Sequence, residues 1–155
     1  MALTKDQIRS TYPLPVYNYR VEIDGTPIAF SEVSGLSMAY ETHLHAESSL
    51  NGSGPVWMYM PGQSKPVSLT LKKGVVTGVS VRVLYGWLNT IQLNRVQKKD
   101  IHVRLCDENG QAVVSWLVRN AFPIKLDAPA FTASANEVAI EGLDLMADAV
   151  VVEQA

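Results

Sequence analysis

Apolar and polar residues alternate along most of this chain with a period of two. Tyr17, Tyr19, Val21 and Ile23 are interleaved with Asn18, Arg20, Glu22 and Asp24, which gives one greasy face and one wet face. That is the pattern of a half-buried β-strand. Asp24-Gly25 then supplies residues that accept the positive φ angles of a tight turn. Residues 28–33 are expected to return antiparallel, Ser34-Gly35 to end the hairpin, and a third strand to occupy about residues 36–46. Val67, Leu69 and Leu71 alternate with Ser68, Thr70 and Lys72, and Ile101, Val103 and Leu105 with His102, Arg104 and Cys106. Residues 113–118 are apolar on both faces and are expected to form a central strand, entered by a turn at Glu108-Asn109-Gly110. In the last strand Val138 and Ile140 keep one phase and Leu143, Leu145 and Ala147 the other. Such a slip predicts a β-bulge at Gly142.

The one helical signal is Val81, Leu84, Leu88 and Ile91, spaced +3, +4, +3 on a single stripe. It predicts a helix over residues 79–93, started by Thr77 or Ser80 and ended by Asn94. Pro123 and Pro129 are expected to break the chain before the last strand. Residues 1–11 are polar and lead into Pro13 and Pro15; they predict an arm, mobile or ordered by a neighbouring chain. Residues 48–55 are rich in Ser, Gly, Asn and Pro and open directly into the apolar run of residues 56–60. That run is either a buried strand after a surface loop or an arm that docks on another subunit. The sum is one mainly β domain over residues 1–155: an antiparallel β-barrel or sandwich of about seven or eight strands with one flanking helix.

With 155 residues the chain is long enough for a full core. Its 47% hydrophobic and 18% charged content and mean hydropathy of +0.06 are globular, with little charge to cover the surface. That shortage points to surface covered by partners. The net charge of −2 gives no basic footprint for nucleic acid or an anionic membrane. A single cysteine, Cys106, forms no internal disulfide and fits synthesis in a reducing compartment. No apolar run reaches membrane-spanning length, and the polar start is unlike a signal peptide.

Candidate chemistry is sparse. Glu41, His43, His45 and Glu47 share one side of a strand and offer imidazoles and carboxylates to a divalent metal. Their i, i+2 spacing of roughly 6–7 Å lets one ion take two of them but hardly four, so the solvent face of a strand is the plainer reading. His102 and Cys106 lie roughly 13 Å apart along a strand, too far for a thiolate–imidazole pair, and Cys106 reads as a small buried residue. Asp144 and Asp148 read as the wet side of the last strand. The doublets Lys72-Lys73 and Lys98-Lys99 read as exposed charges or ion-pair partners. No nucleophile elbow, phosphate loop or dinucleotide motif occurs. Catalytic residues, cofactors and metal ligands are therefore expected to be none. Two readings stay open beside a structural one: a small metal-dependent enzyme using Glu41, His43 and His45, or a monomeric β-barrel that binds a ligand inside.

Five segments carry a family likeness: YPLPVYNYRVEIDG, FSEVSGL, YMPGQSKPVSLTLKKGVVTG, WLNTIQLNRVQKKDI and NEVAIEGLDL. In this order, over nearly the whole chain, they resemble the inner tube proteins of contractile injection systems, those of extracellular phage-tail-like particles above all. The resemblance implies a barrel-like fold with a flanking helix, six copies to a ring, and rings stacked into a hollow tube. It implies partners: further copies of the chain, a sheath, baseplate and spike proteins, tube-terminating proteins, and protein cargo in the bore. It also implies synthesis in a bacterial cytoplasm and release within an assembled particle.

The loop over residues 43–60 is then expected to reach a neighbouring subunit through His43, His45, Glu47, Ser48, Leu50, Asn51, Val56, Trp57 and Tyr59. Asn18, Arg20, Glu22, Ser68, Thr70 and Lys72 are expected to face the lumen. Two departures from the family pattern point towards a first ring on the baseplate rather than the bulk tube. Gly86 stands before the helix tryptophan, Trp87, where relatives carry an acidic residue, and the loop lacks a lysine-rich, aspartate-glycine tip.

Overall fold

The computed structural model describes residues 2–76, 78, 80–91 and 95–154. Its strands are β1 (Tyr19–Ile23), β2 (Thr26–Ile28), β3 (Glu32–Ser34), β4 (Tyr40–Ser48), β5 (Pro55–Ser64), β6 (Val67–Gly74), β7 (Lys99–Cys106), β8 (Ala112–Asp127), β9 (Ile140–Ala147) and β10 (Ala149–Gln154). Two helical segments accompany them, α1 (Lys5–Thr11) and α2, which is π-helical over Ser80–Tyr85 and α-helical over Gly86–Leu88. Eight strands join in one antiparallel sheet, ordered β2-β1-β7-β8-β9-β6-β3 with β10 also on β8; β4 and β5 form a ribbon of their own. The mainly β antiparallel class expected from the alternation is the class found.

Strand β8 is shared by the two halves of the sheet. Up to Ala121 it lies between β7 and β10; from Phe122 on it pairs with β9. The change of partner falls at Asn120, whose φ of +53° is one that asparagine tolerates better than most residues. Its backbone N–H donates to Asp100 Oδ1 at 3.0 Å and its side-chain amide to Asp148 Oδ2 at 2.9 Å. Asp148 separates β9 from β10, and its N–H donates to the Arg119 carbonyl at 3.0 Å. Both long strands thus turn together at one polar corner.

The turn brings two apolar rows face to face. In one half Val33, Leu71, Leu143 and Leu126 are register neighbours across β3, β6, β9 and β8. In the other, Ile23, Ile101, Val118 and Val150 align across β1, β7, β8 and β10. All eight side chains belong to or pack against a single core cluster. Fully burying each leucine contributes about 1.5–3 kcal/mol. Between β1 and β2, Asp24 and Gly25 take φ of +51° and +80°, the turn their sequence predicts. At Gly35 a Cβ would lie 2.2 Å from the Ser68 carbonyl oxygen, and φ is +92°, so glycine is required there.

Several boundaries differ from the sequence reading. Residues 28–33 do not form one returning strand: β2 stops at Ile28, and β3 crosses over to pair with β6. Between them Phe30 turns into the core, and its carbonyl accepts the Tyr19 hydroxyl at 2.6 Å. The strand expected from residue 36 begins at Tyr40. The N-terminal arm holds a helix, α1, started by a reciprocal Thr4–Gln7 capping box. Arg9 ties it to Asp107 at 3.5 Å and Glu108 at 3.1 Å.

Pro123 does not break the chain; it is fully buried inside β8, where a register shift before Lys125 accommodates the missing N–H. Gly142 carries no bulge, because β9 runs in unbroken register along β6. The buried phase there is kept by Glu141, opposite a buried Lys73, while Val138 and Ile140 face out. Lys73 is therefore not an exposed strand charge. Cys106 is buried as expected, but a register shift after Leu105 moves it off the face of His102.

The helix is shorter than residues 79–93, with turns over Asn89 and Thr90. Leu84 and Trp87 are its buried residues, and Ile91 is exposed. The Val81 and Ser80 side chains, and Thr77 and Asn94 altogether, lie outside the described residues. Trp87 donates its indole N–H to the Gln97 carbonyl at 2.7 Å, under the Lys99 ammonium 5.2 Å from its ring centre.

Leu71→Ala removes a fully buried side chain and is expected to lower the urea-derived stability by about 3 kcal/mol. Leu44→Ala, on the uncovered ribbon, is expected to leave the monomer within about 0.5 kcal/mol of the parent. Burial, and then the Glu32 carboxylate, push the Tyr19 phenol above its ordinary value of 10.0. The folded state then holds this proton more tightly than the unfolded chain. Its contribution is complete below the ordinary tyrosine range and is lost as pH climbs through the raised value. Tyr19→Phe should cost about 1 kcal/mol at neutral pH, and its deficit against the parent should shrink in urea titrations run at increasingly alkaline pH.

Candidate functional site

The ribbon of β4 and β5 is the largest uncovered structure in the described residues. The alternation that buries other strands is present here, but nothing packs on it: every residue of β4 and all of β5 except Gly62 is exposed. Register pairs Leu44 with Tyr59 and Ala46 with Trp57 on one face; His43 with Met60, His45 with Met58 and Glu47 with Val56 on the other. Trp57 is 60% and Tyr59 79% exposed, so residues 56–60 are not a strand buried within the chain. A lone two-stranded ribbon is marginal in water, so its apolar face calls for a partner surface. At the tip, Gly52 and Gly54 take positive φ, Asn51 caps Ser53, and Leu50 stands fully in solvent. His43, His45, Glu47, Ser48, Leu50, Asn51, Val56, Trp57 and Tyr59 thus all lie on this one element.

The ribbon also holds the sequence-predicted metal candidates. The His43 ring lies across Gly62, where a Cβ would come within 2.8 Å of Nε2. His45 Nε2 meets Glu47 Oε1 at 3.0 Å, a contact that satisfies the side chains without an ion. Among the described residues no three His, Cys, Asp or Glu side chains come together as a metal would need. No helix among them is long and apolar enough to cross a membrane.

The residues expected to face one lumen fall on two different outer faces. Arg20 and Glu22 point outward from β1, where Glu22 accepts from Arg104 at 2.6 Å and Arg20 at 3.5 Å. Asn18, just before β1, donates to the Asp107 carbonyl. Ser68, Thr70 and Lys72 point outward from β6, in the other half of the sheet. The shared core lies between the two sets, so they do not share one face.

The β6 set belongs to a wider polar face. Glu32, Lys72, Gly142 and Asp127 align across β3, β6, β9 and β8, and Ser34, Thr70, Asp144 and Lys125 form the next row. Lys72 pairs with Glu32 at 3.3 Å, Lys125 with Asp127 at 3.4 Å, and Thr70 donates to Asp144 at 3.0 Å. Sequence reasoning missed Glu32, Lys125 and Asp127 here, and read Asp144 as a wet-side residue without its partners, because the partner order that assembles the face is non-local. At its two ends, β3 pairs only with β6 and residues 122–127 only with β9, which leaves two open strand edges.

A comparison with curated protein sequences finds no match. Solved structures do. A chain of the sheath-tube complex of an extracellular contractile injection system, PVC, in its extended state is 39% identical, with a TM-score of 0.90 over 99% of this chain and 100% of that one. A chain of the anti-feeding prophage tube-terminating cap is 41% identical, with a TM-score of 0.86 over all of both chains. A chain of the anti-feeding prophage baseplate shares the fold at 20% identity, with a TM-score of 0.75 over 93% of this chain and 97% of that one. The profile of the T4-like virus tail tube protein gp19 family matches residues 15–151. The fold, the uncovered ribbon and these likenesses agree: the chain belongs to the T4-like virus tail tube protein gp19 family, as a structural component of contractile injection systems and not an enzyme.

Proposed function

We propose that the chain forms hexameric rings that stack into the inner tube of a contractile, phage-tail-like particle. The observation that carries this reading is the β4–β5 ribbon, whose Leu44, Ala46, Trp57 and Tyr59 face has no cover within the chain. Its nine-residue first strand spans about 30 Å, enough to reach across to an adjacent copy. The open edges of β3 and of the end of β8 support the same reading, since pairing them between copies joins the polar faces into one continuous wall and removes both edges. Ser68, Thr70 and Lys72 then line the bore, while Asn18, Arg20 and Glu22 look outwards from the rod. A surrounding sheath supplies the thrust on contraction, and this rod is what it drives, with its cargo inside.

For the position along the tube, the sheath-tube and terminating-cap relatives stand at 39% and 41% identity, whereas the baseplate likeness is one of fold alone. That favours a ring of the sheathed tube or its cap end over the first ring on the baseplate. The ligand-binding barrel has little to recommend it, because the interior is filled by Leu69, Leu71, Leu84, Ile101, Leu143 and Leu145.

Trp57→Ser with Tyr59→Ser tests the ribbon directly. The monomer should keep its circular dichroism spectrum and melt within a few degrees of the parent, while rings and tubes disappear from negative-stain images. Deleting residues 48–54 should likewise spare folding and weaken stacking. Tubes that persist in both variants, or monomers that unfold, would refute the assignment.

A further inference from the structure

The β4–β5 ribbon leaves the body of the molecule at an irregular foot. Lys65 donates its N–H to the Ala39 carbonyl at 2.8 Å, and Tyr40 pairs with Ser64. Two residues on along β4, Thr42 pairs with Pro61, which lies three residues back along β5. Strand β5 therefore carries one extra residue here, and a bulge of that kind bends the strand that holds it. Past the bulge His43 pairs with Met60, and its ring reaches diagonally back over Gly62. A Cβ on Gly62 would meet His43 Nε2 at 2.8 Å, His43 Cδ2 at 3.0 Å and the Glu41 carbonyl oxygen at 3.1 Å. Gly62 is also the one residue of the two strands that is not exposed.

Because both strands are otherwise exposed along their length, the ribbon's direction is set at this foot. The lever is long. A tilt of about 10° at the foot moves the far end of a strand of about 30 Å by about 5 Å, a whole spacing between paired strands. We propose that Gly62 and His43 are positioning residues that aim the ribbon at the copy it docks on. Glycine leaves one side of the bulge open, and the imidazole fills that opening and fixes the bend. The inference rests on the stacked-ring reading of the previous subsection. It gives His43 a role through the shape of its ring, in which neither a metal nor a charge takes part.

Gly62→Ala puts a methyl group where the ring lies, so the ring must swing out and the Glu41 carbonyl must give way. The core cluster contains no residue of the ribbon, so the variant should melt with the parent. The aim is read in the dilute monomer, with nitroxides on Leu50→Cys and Asn109→Cys and a pulsed electron-resonance distance between them; Cys106 is buried. The parent should give one narrow distance, and Gly62→Ala should shift or broaden it by about 5 Å. The same change should raise the concentration at which tubes form by about tenfold or more. His43→Ala should act in the same direction, whereas His43→Phe, which keeps a flat ring, should stay within about twofold of the parent. Since both positions serve one contact, His43→Ala with Gly62→Ala should be no worse than Gly62→Ala alone.

An unchanged distance in Gly62→Ala, or a changed one with tubes forming as in the parent, would overturn the inference and leave the tube reading standing. So would losses that simply add in the double variant. Absence of tubes from the parent chain would instead remove the reading beneath it, and the inference with it.

Discussion

A sheet can bury only the face that it folds inwards, and in this protein the folding is done at one corner. Asn120 holds a left-handed backbone angle in the middle of the longest strand, and Asp100, Asp148 and the Arg119 carbonyl satisfy the polar groups which that angle turns aside. Because β9 and β10 bend at Asp148 beside it, two halves of one sheet close on a common set of leucines, isoleucines and valines. The outer faces and the open edges follow from where that corner lies.

Closure leaves the β4–β5 ribbon with nothing to lie against. Its strands alternate as the core strands do, yet the residues that alternation would bury, Leu44, Trp57 and Tyr59, stand in solvent. In an isolated molecule this is a poor arrangement, costly in solubility. In the stack of copies proposed above, it is the surface that association would bury. The chain's low charge content fits the same proposal, since a subunit surrounded by others needs fewer charges to keep it dissolved.

Much of this was legible in the alternation itself. The burial of β6 and β7, the Asp24-Gly25 turn and the mainly β class depend on local pattern, and they came out as read. What was not legible depends on partners distant in sequence. Glu141 sits in a buried phase across from a buried Lys73, and no local rule places a glutamate there. Pro123 looked like a breaker, but a register shift on the adjacent pairing makes room for it. The helix was read as one stripe running to Ile91, but it ends at Leu88, and its buried residues are Leu84 and Trp87. At the candidate site, local pattern found the ribbon's residues and the outward side of β6. It could not show that β1 and β6 look away from each other, because strand order is fixed only by the closed fold.

The tip of the ribbon carries one more consequence. Between Ser48 and Pro55 the chain is small, polar and glycine-bearing, with Leu50 wholly in water, and such tips are the places where proteases nick a folded chain. In the proposed stack a seated copy would hide this tip and an orphan would display it, so proteolysis would fall first on surplus copies.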